Sequence, residues 1–321
     1  MDRSASIQRS VSLRSLSSLR TGGKAERLAY CFSVEECGAH ATSAQQEGEH
    51  PTILGWGSNI LPSDHGVPGL TLVNRAAKIA ARHDGSVVAD CGALFQDLFL
   101  FTAQRGLKGL EFAVGIPGSI GGALVSNAGA YRSNVSEFLT ELVVAVDGEV
   151  KSVSPDIMRF SYRDSLLRQE AAPSIVLLQA VFKLESGTPK TIWDEARDYQ
   201  RQRIGKQPAP ASAGSFFKNV NSIPLAESLE TLPQRMREAG VVPAGFLIEA
   251  VGLKGCRHRG AMMGERHANF MLNVGGATAT SIRSLAQHVK RVVFDKFGFE
   301  LEEEVLYLGD WSKFEPEIVG A

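Results

Sequence analysis

The chain has 321 residues, 44% of them apolar, and its 34 Lys and Arg nearly balance 35 Asp and Glu, so it can build two packed domains but no global field for nucleic acid or an anionic membrane. Four cysteines, Cys31, Cys37, Cys91 and Cys256, stand far apart with no CxxC pair, which argues against a disulfide framework and a zinc site and fits a reducing, cytoplasmic setting. No apolar run approaches the roughly 18 to 20 residues of a membrane helix, so a soluble protein is expected, most simply a monomer, with oligomers left open.

The first twenty residues are rich in Ser and Arg, with Asp2 the only acid. That composition is shared by organellar transit peptides, but the arginines run straight into sequence that reads as folded, which favours a mobile tail over 1–14. From Pro51 to about Leu184, β-rich runs recur at 53–54, 69–74, 86–90, 142–146 and 175–184, with Asp147-Gly148 as a tight hairpin turn. One helix, about Leu94 to Arg105, stops at Gly106. A second, Trp193 to Ile204, closes at Gly205, and Gln-Pro-Ala-Pro at 207–210 reads as a domain boundary. Beyond it, Thr278 to Ser281 caps a helix whose apolar positions Ile282, Leu285, Ala286, Val289, Val292 and Val293 recur at helical spacing, with Gly298 after it. A strand from Leu301 to Leu308 completes an α+β chain. The expected division is a tail, a first domain of two α+β lobes over 15–187, a smaller α+β domain over 188–309 and a C-terminal tail over 310–321.

Two glycine-rich loops stand out. Gly55-Trp-Gly-Ser-Asn-Ile-Leu61 follows a short apolar strand and gathers Gly55, Gly57, Ser58, Asn59 and Ile60 at its end. It suits either an ordinary turn or an anion cradle of backbone N–H groups. Gly115-Ile-Pro-Gly-Ser-Ile-Gly-Gly122 sets four glycines and a proline in eight residues, with Asn127-Ala-Gly-Ala130 close behind. This spacing is neither GxGxxG nor a P-loop. Close backbone packing is one reading; a grip on a diphosphate is the other, and two such loops suit a long dinucleotide such as FAD.

These loops, together with Leu19-Arg-Thr-Gly-Gly-Lys-Ala25, Phe160-Ser-Tyr-Arg-Asp-Ser165, Ala213-Gly-Ser-Phe-Phe-Lys-Asn219, Leu247-Ile-Glu249, Gly252-Leu-Lys-Gly255 and the segment Leu301 to Gly309, resemble the UDP-N-acetylenolpyruvoylglucosamine reductases in family order over about residues 17 to 309. The shorter branch, without the extra substrate loop, matches best. The resemblance implies a vanillyl-alcohol-oxidase type of FAD-binding domain followed by a substrate-binding domain. It assigns FAD contacts to Gly55, Gly57, Ser58, Asn59, Ile60, Gly115, Ile116, Pro117, Gly118, Ser119, Gly121, Gly122, Asn127 and Ala130.

Reducing an enolpyruvyl ether takes a hydride, a proton and stabilisation of the carboxylate-conjugated carbanion between them. By resemblance Ser215 is the proton donor, while Arg163 and Glu304 complete the catalytic set. Read without the family, Ser215 is a turn serine. Glu304 has separate support: period-two alternation leaves largely apolar faces around both Glu303 and Glu304, so at least one carboxylate needs a partner in packed surroundings. A solvated acidic strand start is the competing reading. Tyr162, Lys218, Asn219 and Lys254 are candidate substrate contacts, Lys254 equally a helix C-terminal partner. The seven histidines show no metal spacing, and His267 reads as structural or as a polar pocket wall.

The implied activity is reduction of UDP-N-acetylglucosamine enolpyruvate to UDP-N-acetylmuramate with FAD and NADPH. The absence of a separate Rossmann fingerprint suits one site shared by donor and acceptor. Two alternatives stand: an FAD-dependent oxidase or dehydrogenase of another substrate, and a non-catalytic flavin- or nucleotide-binding homologue. The sequence departs from the family at Val220, where proline is usual, and at Leu306, where arginine is usual, while Cys256-Arg-His-Arg259 is more basic than expected.

Overall fold

The computed structural model describes residues 6–205, 208 and 211–320, and these divide into two compact units. The first comprises 6–11, 25–57 and 67–205; the second comprises 12–24, 58–66 and the described residues from 208 onward.

The first unit holds a sheet ordered Gln8–Ser12, Lys24–Cys31, Val67–Asn74, Thr52–Leu54, whose last three strands run parallel. Its helix Val34–Gln46 starts on Ser33, whose side chain accepts from the Glu36 amide at 3.1 Å, with Glu35 and Glu36 favourably placed in the first turn. Cys37, Ala41 and Ala44, spaced i, i+4, i+7, are its buried stripe, packed with Leu70 and Leu72 of that sheet and with Val176 and Leu178 of the next. Small residues there let two sheets share one helix. The second sheet is antiparallel, ordered Glu149–Val153, Leu139–Val146, Val176–Phe182, Val87–Asp90, Ile79–Ala81. Its Asp147-Gly148 turn has φ of 54° and 76°, the doubly positive pair that a two-residue hairpin favours.

Helices Phe95–Ala103, Ile120–Val125 and Pro189–Ile204 build the larger core of this unit with Phe112 and Phe182. The first of them leads into Gly106 at φ 67°, the expected left-handed stop. Pro189–Ile204, expected beyond the 187/188 boundary, lies in the first unit. Trp193 meets Phe99 edge-on at 5.5 Å, and Ile192 and Ala196 are buried, so burial overrides chain order. The expected Gln-Pro-Ala-Pro boundary lies outside the described residues, Pro208 excepted.

In the second unit, strands Ala211–Ser215, Phe270–Asn273, Ala261–Met263 and Arg257–His258 form an antiparallel sheet. Helix Ala279–Phe297 packs with it, capped reciprocally by Thr278 and Ser281 and closed by Gly298 at φ 66°. Asp64 adds a second cap, accepting from the amides of Ala279 at 3.0 Å and Thr280 at 2.8 Å. The expected strand Leu301–Leu308 is shorter: Leu306–Leu308 pairs in parallel with Ile60–Pro62, whereas 302–304 hydrogen-bonds 216–218. Changing partner midway prevents one continuous ladder.

Both expected tails are altered by the structure. Residues 8–12 of the N-terminal one are a strand, and Leu13 is buried. At the other end the Glu317 carboxylate meets His258 at 2.7 Å and Arg259 at 3.0 Å, so the basic run at 256–259 holds the chain's own C-terminal segment.

Candidate active site

The candidate residues divide between the two units. In the first, Gly55 and Gly57 end the strand Thr52–Leu54, and three contacts pin their loop. The Arg75 guanidinium donates to the Gly55 carbonyl at 2.8 Å and lies 4.3 Å over the Trp56 ring, while the Trp56 indole donates to the Gly92 carbonyl at 3.1 Å. Burial pulls the Arg75 pKa down from its ordinary range. The other glycine loop is stitched to Cys91–Phe95: the amide of Phe95 donates to the Gly118 carbonyl, and those of Ile120 and Gly121 to the carbonyls of Ala93 and Cys91. Ser119 accepts from the Gly122 amide at 3.1 Å. A Cβ on Gly55 would overlap the Ser119 hydroxyl, and one on Gly121 would sit 3.1 Å from the Cys91 carbonyl oxygen. The structure therefore brings both loops together around Ser119. It also shows the close backbone packing that competed with the anion reading, and the two are compatible.

The segment after the second loop is unusual in its backbone. Asn127, Tyr131, Arg132 and Arg163 all have φ between 42° and 70°, a region that side chains other than Asn, Asp and Gly seldom occupy. Arg163 donates to the carbonyls of Asn127, at 3.4 Å, and Gly129, and Asn127 Nδ2 donates to the Ser161 carbonyl at 2.8 Å, so these strained turns hold one another. Tyr162 is exposed, with the Arg163 guanidinium 5.4 Å from its ring centre.

Arg203, which the sequence reading passed over, reaches back from the end of Pro189–Ile204. It donates to the Phe112 carbonyl at 3.2 Å and lies 5.7 Å from the Tyr131 ring centre, and its Cδ is 3.4 Å from where a Gly115 Cβ would stand. Desolvation lowers its pKa, and the nearby positive charge of Arg163 lowers it further.

In the second unit Ser58, Asn59 and Ile60 begin the run that pairs with Leu306–Leu308. The Asn59 side chain donates to the Ala213 carbonyl at 2.9 Å, and its own carbonyl accepts from the Leu306 amide at 3.1 Å, so its amide group is engaged with protein. Ser215 ends the first strand of the sheet, opposite Phe270, after a register shift that includes Gly214 at φ 80°. The Glu304 amide donates to the Phe216 carbonyl at 2.8 Å, and the Lys218 amide to the Glu302 carbonyl at 2.8 Å. Ser215 and Glu304 thus flank one short antiparallel pairing.

Lys218 is buried and paired with Glu302. The Asn219 side chain accepts from the Ala244 amide at 3.3 Å. Lys254 pairs with Glu249 at 2.9 Å, while Lys296 takes the helix-end carbonyl of Ala250 at 2.7 Å, the contact expected of Lys254. Glu303, the other acid weighed in the strand, pairs with Lys290 at 3.1 Å. Val220, where proline is usual, is buried opposite Val242 in a two-residue ladder.

Residues 25–154 match the family model of an FAD binding domain, and residues 206–308 match the C-terminal domain model of UDP-N-acetylenolpyruvoylglucosamine reductase. A curated protein of the latter name from Rubrobacter xylanophilus is 36% identical over 93% of this chain and 94% of its own. The chain belongs to the UDP-N-acetylenolpyruvoylglucosamine reductase family. A reductase from Pediococcus pentosaceus is 37% identical over 91% of this chain and 90% of its own. The crystal structure of the reductase from Thermus caldophilus superposes with a TM-score of 0.74 at 29% identity, covering 95% of this chain and 99% of that one. The protein is accordingly an FAD-dependent oxidoreductase with the expected fold, an FAD-binding domain joined to the reductase C-terminal domain. Its residues fit the cofactor: two glycine loops too tight for side chains, and buried polar atoms, Asn127 Oδ1 and Arg203 Nε, with no protein partner beside them. Among the described residues no helix is long and apolar enough to cross a membrane.

Proposed function

We propose that the chain reduces UDP-N-acetylglucosamine enolpyruvate to UDP-N-acetylmuramate with electrons from NADPH, in the cytoplasm. The observation that carries this reading is the pairing of 216–218 with 302–304, which sets a hydroxyl residue and a carboxylate residue on either side of one hydrogen bond in the reductase C-terminal domain. Bound FAD would supply the hydride chemistry, carrying reducing equivalents from NADPH to the alkene of the substrate. Gly55, Gly57, Ser58, Asn59, Ile60, Gly115 to Ser119, Gly121, Gly122, Asn127 and Ala130 are the residues that would hold it.

The chain's own groups carry the rest. Arg163 presents a fixed cationic fork for the substrate carboxylate, which lowers the energy of the enolate formed as the alkene carbon accepts hydride. The O–H bond of Ser215 then breaks as a C–H bond forms at the carbon next to the carboxylate, and the serine oxygen regains its proton from solvent. A hydroxyl is a weak acid and serves here because the carbanion it quenches is strongly basic. Glu304 orients the hydroxyl and the enolate. Tyr162, Lys218, Asn219 and Lys254 are the candidate contacts for the sugar nucleotide, and Lys218 already pairs with Glu302.

The test is anaerobic addition of NADPH to flavin-loaded protein, followed by the enolpyruvyl sugar nucleotide, with absorbance recorded near about 450 nm. Bleaching and then recovery supports both half-reactions. Bleaching with no recovery rejects the substrate, and failure to retain flavin after reconstitution rejects the reading as a whole.

A further inference from the structure

Ser215 stands at the end of a strand whose ladder is broken, and the chain after it must be fixed some other way. Phe216 and Phe217 are fully buried, so their peptide groups cannot turn to water and need protein partners. One residue supplies most of them. The main-chain carbonyl of Asn269 accepts from the Phe216 amide at 2.7 Å. Its side chain exchanges a pair of bonds with the next peptide: Oδ1 accepts from the Phe217 amide at 2.9 Å and Nδ2 donates to the Phe217 carbonyl at 2.8 Å. Asn269 is itself buried, 3% exposed, and held by its own loop, where the Phe270 amide donates to the His267 carbonyl at 3.0 Å. An asparagine side chain carries the same donor and acceptor as a peptide, so it replaces the missing strand. On the other edge of 216–218 lie Glu302 and Glu304.

We propose that Asn269 is a positioning residue, which sets the separation of Ser215 and Glu304 by clamping the peptide of Phe217 between them. The inference rests on the reading of Ser215 as proton donor. Nothing in it requires Asn269 to touch substrate. Its amide works one residue from Glu304's own hydrogen bond to Phe216 and two residues from Ser215, so a loosened clamp lets both drift, and a displacement of about 1 Å is enough to cost about 100-fold in a step that depends on geometry.

The experiment uses the flavin-loaded full chain carrying Asn269→Ala, Asn269→Asp, Ser215→Ala or the double substitution Ser215→Ala with Asn269→Ala. Aspartate keeps the size and the acceptor while removing the donor, and it carries the test where alanine fails to fold. The expected result is a rate of flavin reduction by NADPH within about twofold of the parent and a substrate KM within about threefold, with flavin reoxidation by the enolpyruvyl sugar slowed by about 100-fold. The solvent deuterium isotope effect on reoxidation should rise, and amide exchange of a peptide spanning 214–219 should quicken while that of 279–297 stays protected. The double variant should be no slower than Ser215→Ala alone, because residues acting through one another are not additive. Equal slowing of both half-reactions, or multiplied losses in the double variant, overturns the positioning role. Collapse in Ser215→Ala with normal reoxidation in both Asn269 variants overturns it alone; unchanged turnover in Ser215→Ala overturns the reading beneath it as well.

Discussion

The amide of Glu304 donates to the carbonyl of Phe216 at 2.8 Å, and that bond is where two distant stretches of chain become one candidate site. Replacing Glu304 by Gln keeps the shape and the backbone bond while removing the charge. If the carboxylate orients the proton donor, Glu304→Gln should bind FAD and be bleached by NADPH as the parent is, with reoxidation by substrate falling by about 10²-fold to 10⁴-fold. Stopped-flow absorbance separates the two steps, and an unchanged reoxidation rate would remove Glu304 from the chemistry.

Gly55 decides whether the two glycine loops can approach. A methyl group there would overlap the Ser119 hydroxyl, and Ser119 also caps the Gly122 amide. Gly55→Ala should therefore weaken FAD retention at least about tenfold, since overpacking forces backbone shifts costing roughly 1–3 kcal/mol. Fluorescence of released flavin gives the affinity. Adding Ser119→Ala removes the overlapping oxygen and should restore part of it; a Gly55→Ala protein that holds FAD normally would show that the loops have room to spare.

Much of this was legible in the sequence where a local rule applies. The Asp147-Gly148 hairpin, the capping of the helix by Thr278 and Ser281 and the left-handed stops at Gly106 and Gly298 depend on residues close in the chain, and the structure has them. The glycine loops announced themselves by density. What escaped depends on contacts distant in sequence. Residues 12–24 and 58–66 belong to the second unit because Thr21 donates to Ala277 and Asp64 caps a helix more than two hundred residues away. Asn269, which is buried, and Arg203, which is half-buried, escaped because a lone polar residue carries no periodic signature. Arg163, Ser215 and Glu304 were named from family resemblance, and only Glu304 had support in a strand pattern of its own.

Alkaline pH should loosen the second unit. Burial, with Glu303 adding to it, raises the Tyr307 pKa from 10.0. At Lys290 burial pulls the other way, but the charges and hydrogen bonds of Glu303 and Glu300 prevail and the value rises from 10.5. Both groups hold their protons in the folded state at a pH where the unfolded chain has begun to release them. The stability they contribute is complete below about pH 10 and declines as pH climbs through the raised values. Urea midpoints should accordingly fall above pH 10, and Tyr307→Phe, which cannot ionise, should show a shallower fall. Parallel slopes for the two proteins would assign the loss elsewhere.

The C-terminal segment is the last element that the fold secures. The Arg283 guanidinium lies 4.8 Å, 4.6 Å and 4.2 Å from the ring centres of Tyr307, Trp311 and Phe314, so one cation on the long helix faces three aromatics from the end of the chain. Each such contact contributes about 0.5–1 kcal/mol when partly solvated. Arg283→Ala should cost about 1–3 kcal/mol in all. Lysine keeps the charge but loses the flat face that stacks on rings, so Arg283→Lys should recover only part of that loss. The Glu317 carboxylate between His258 and Arg259 is a separate anchor, and Glu317→Ala should act independently of Arg283→Ala, with additive effects. Limited proteolysis reads the outcome directly: cleavage within 310–320 should accelerate in each variant and most in the double one. Resistance equal to the parent would show that the amide of Glu317 donating to the Ser284 hydroxyl and the amide of Asp310 donating to the Gly66 carbonyl suffice to hold the segment down.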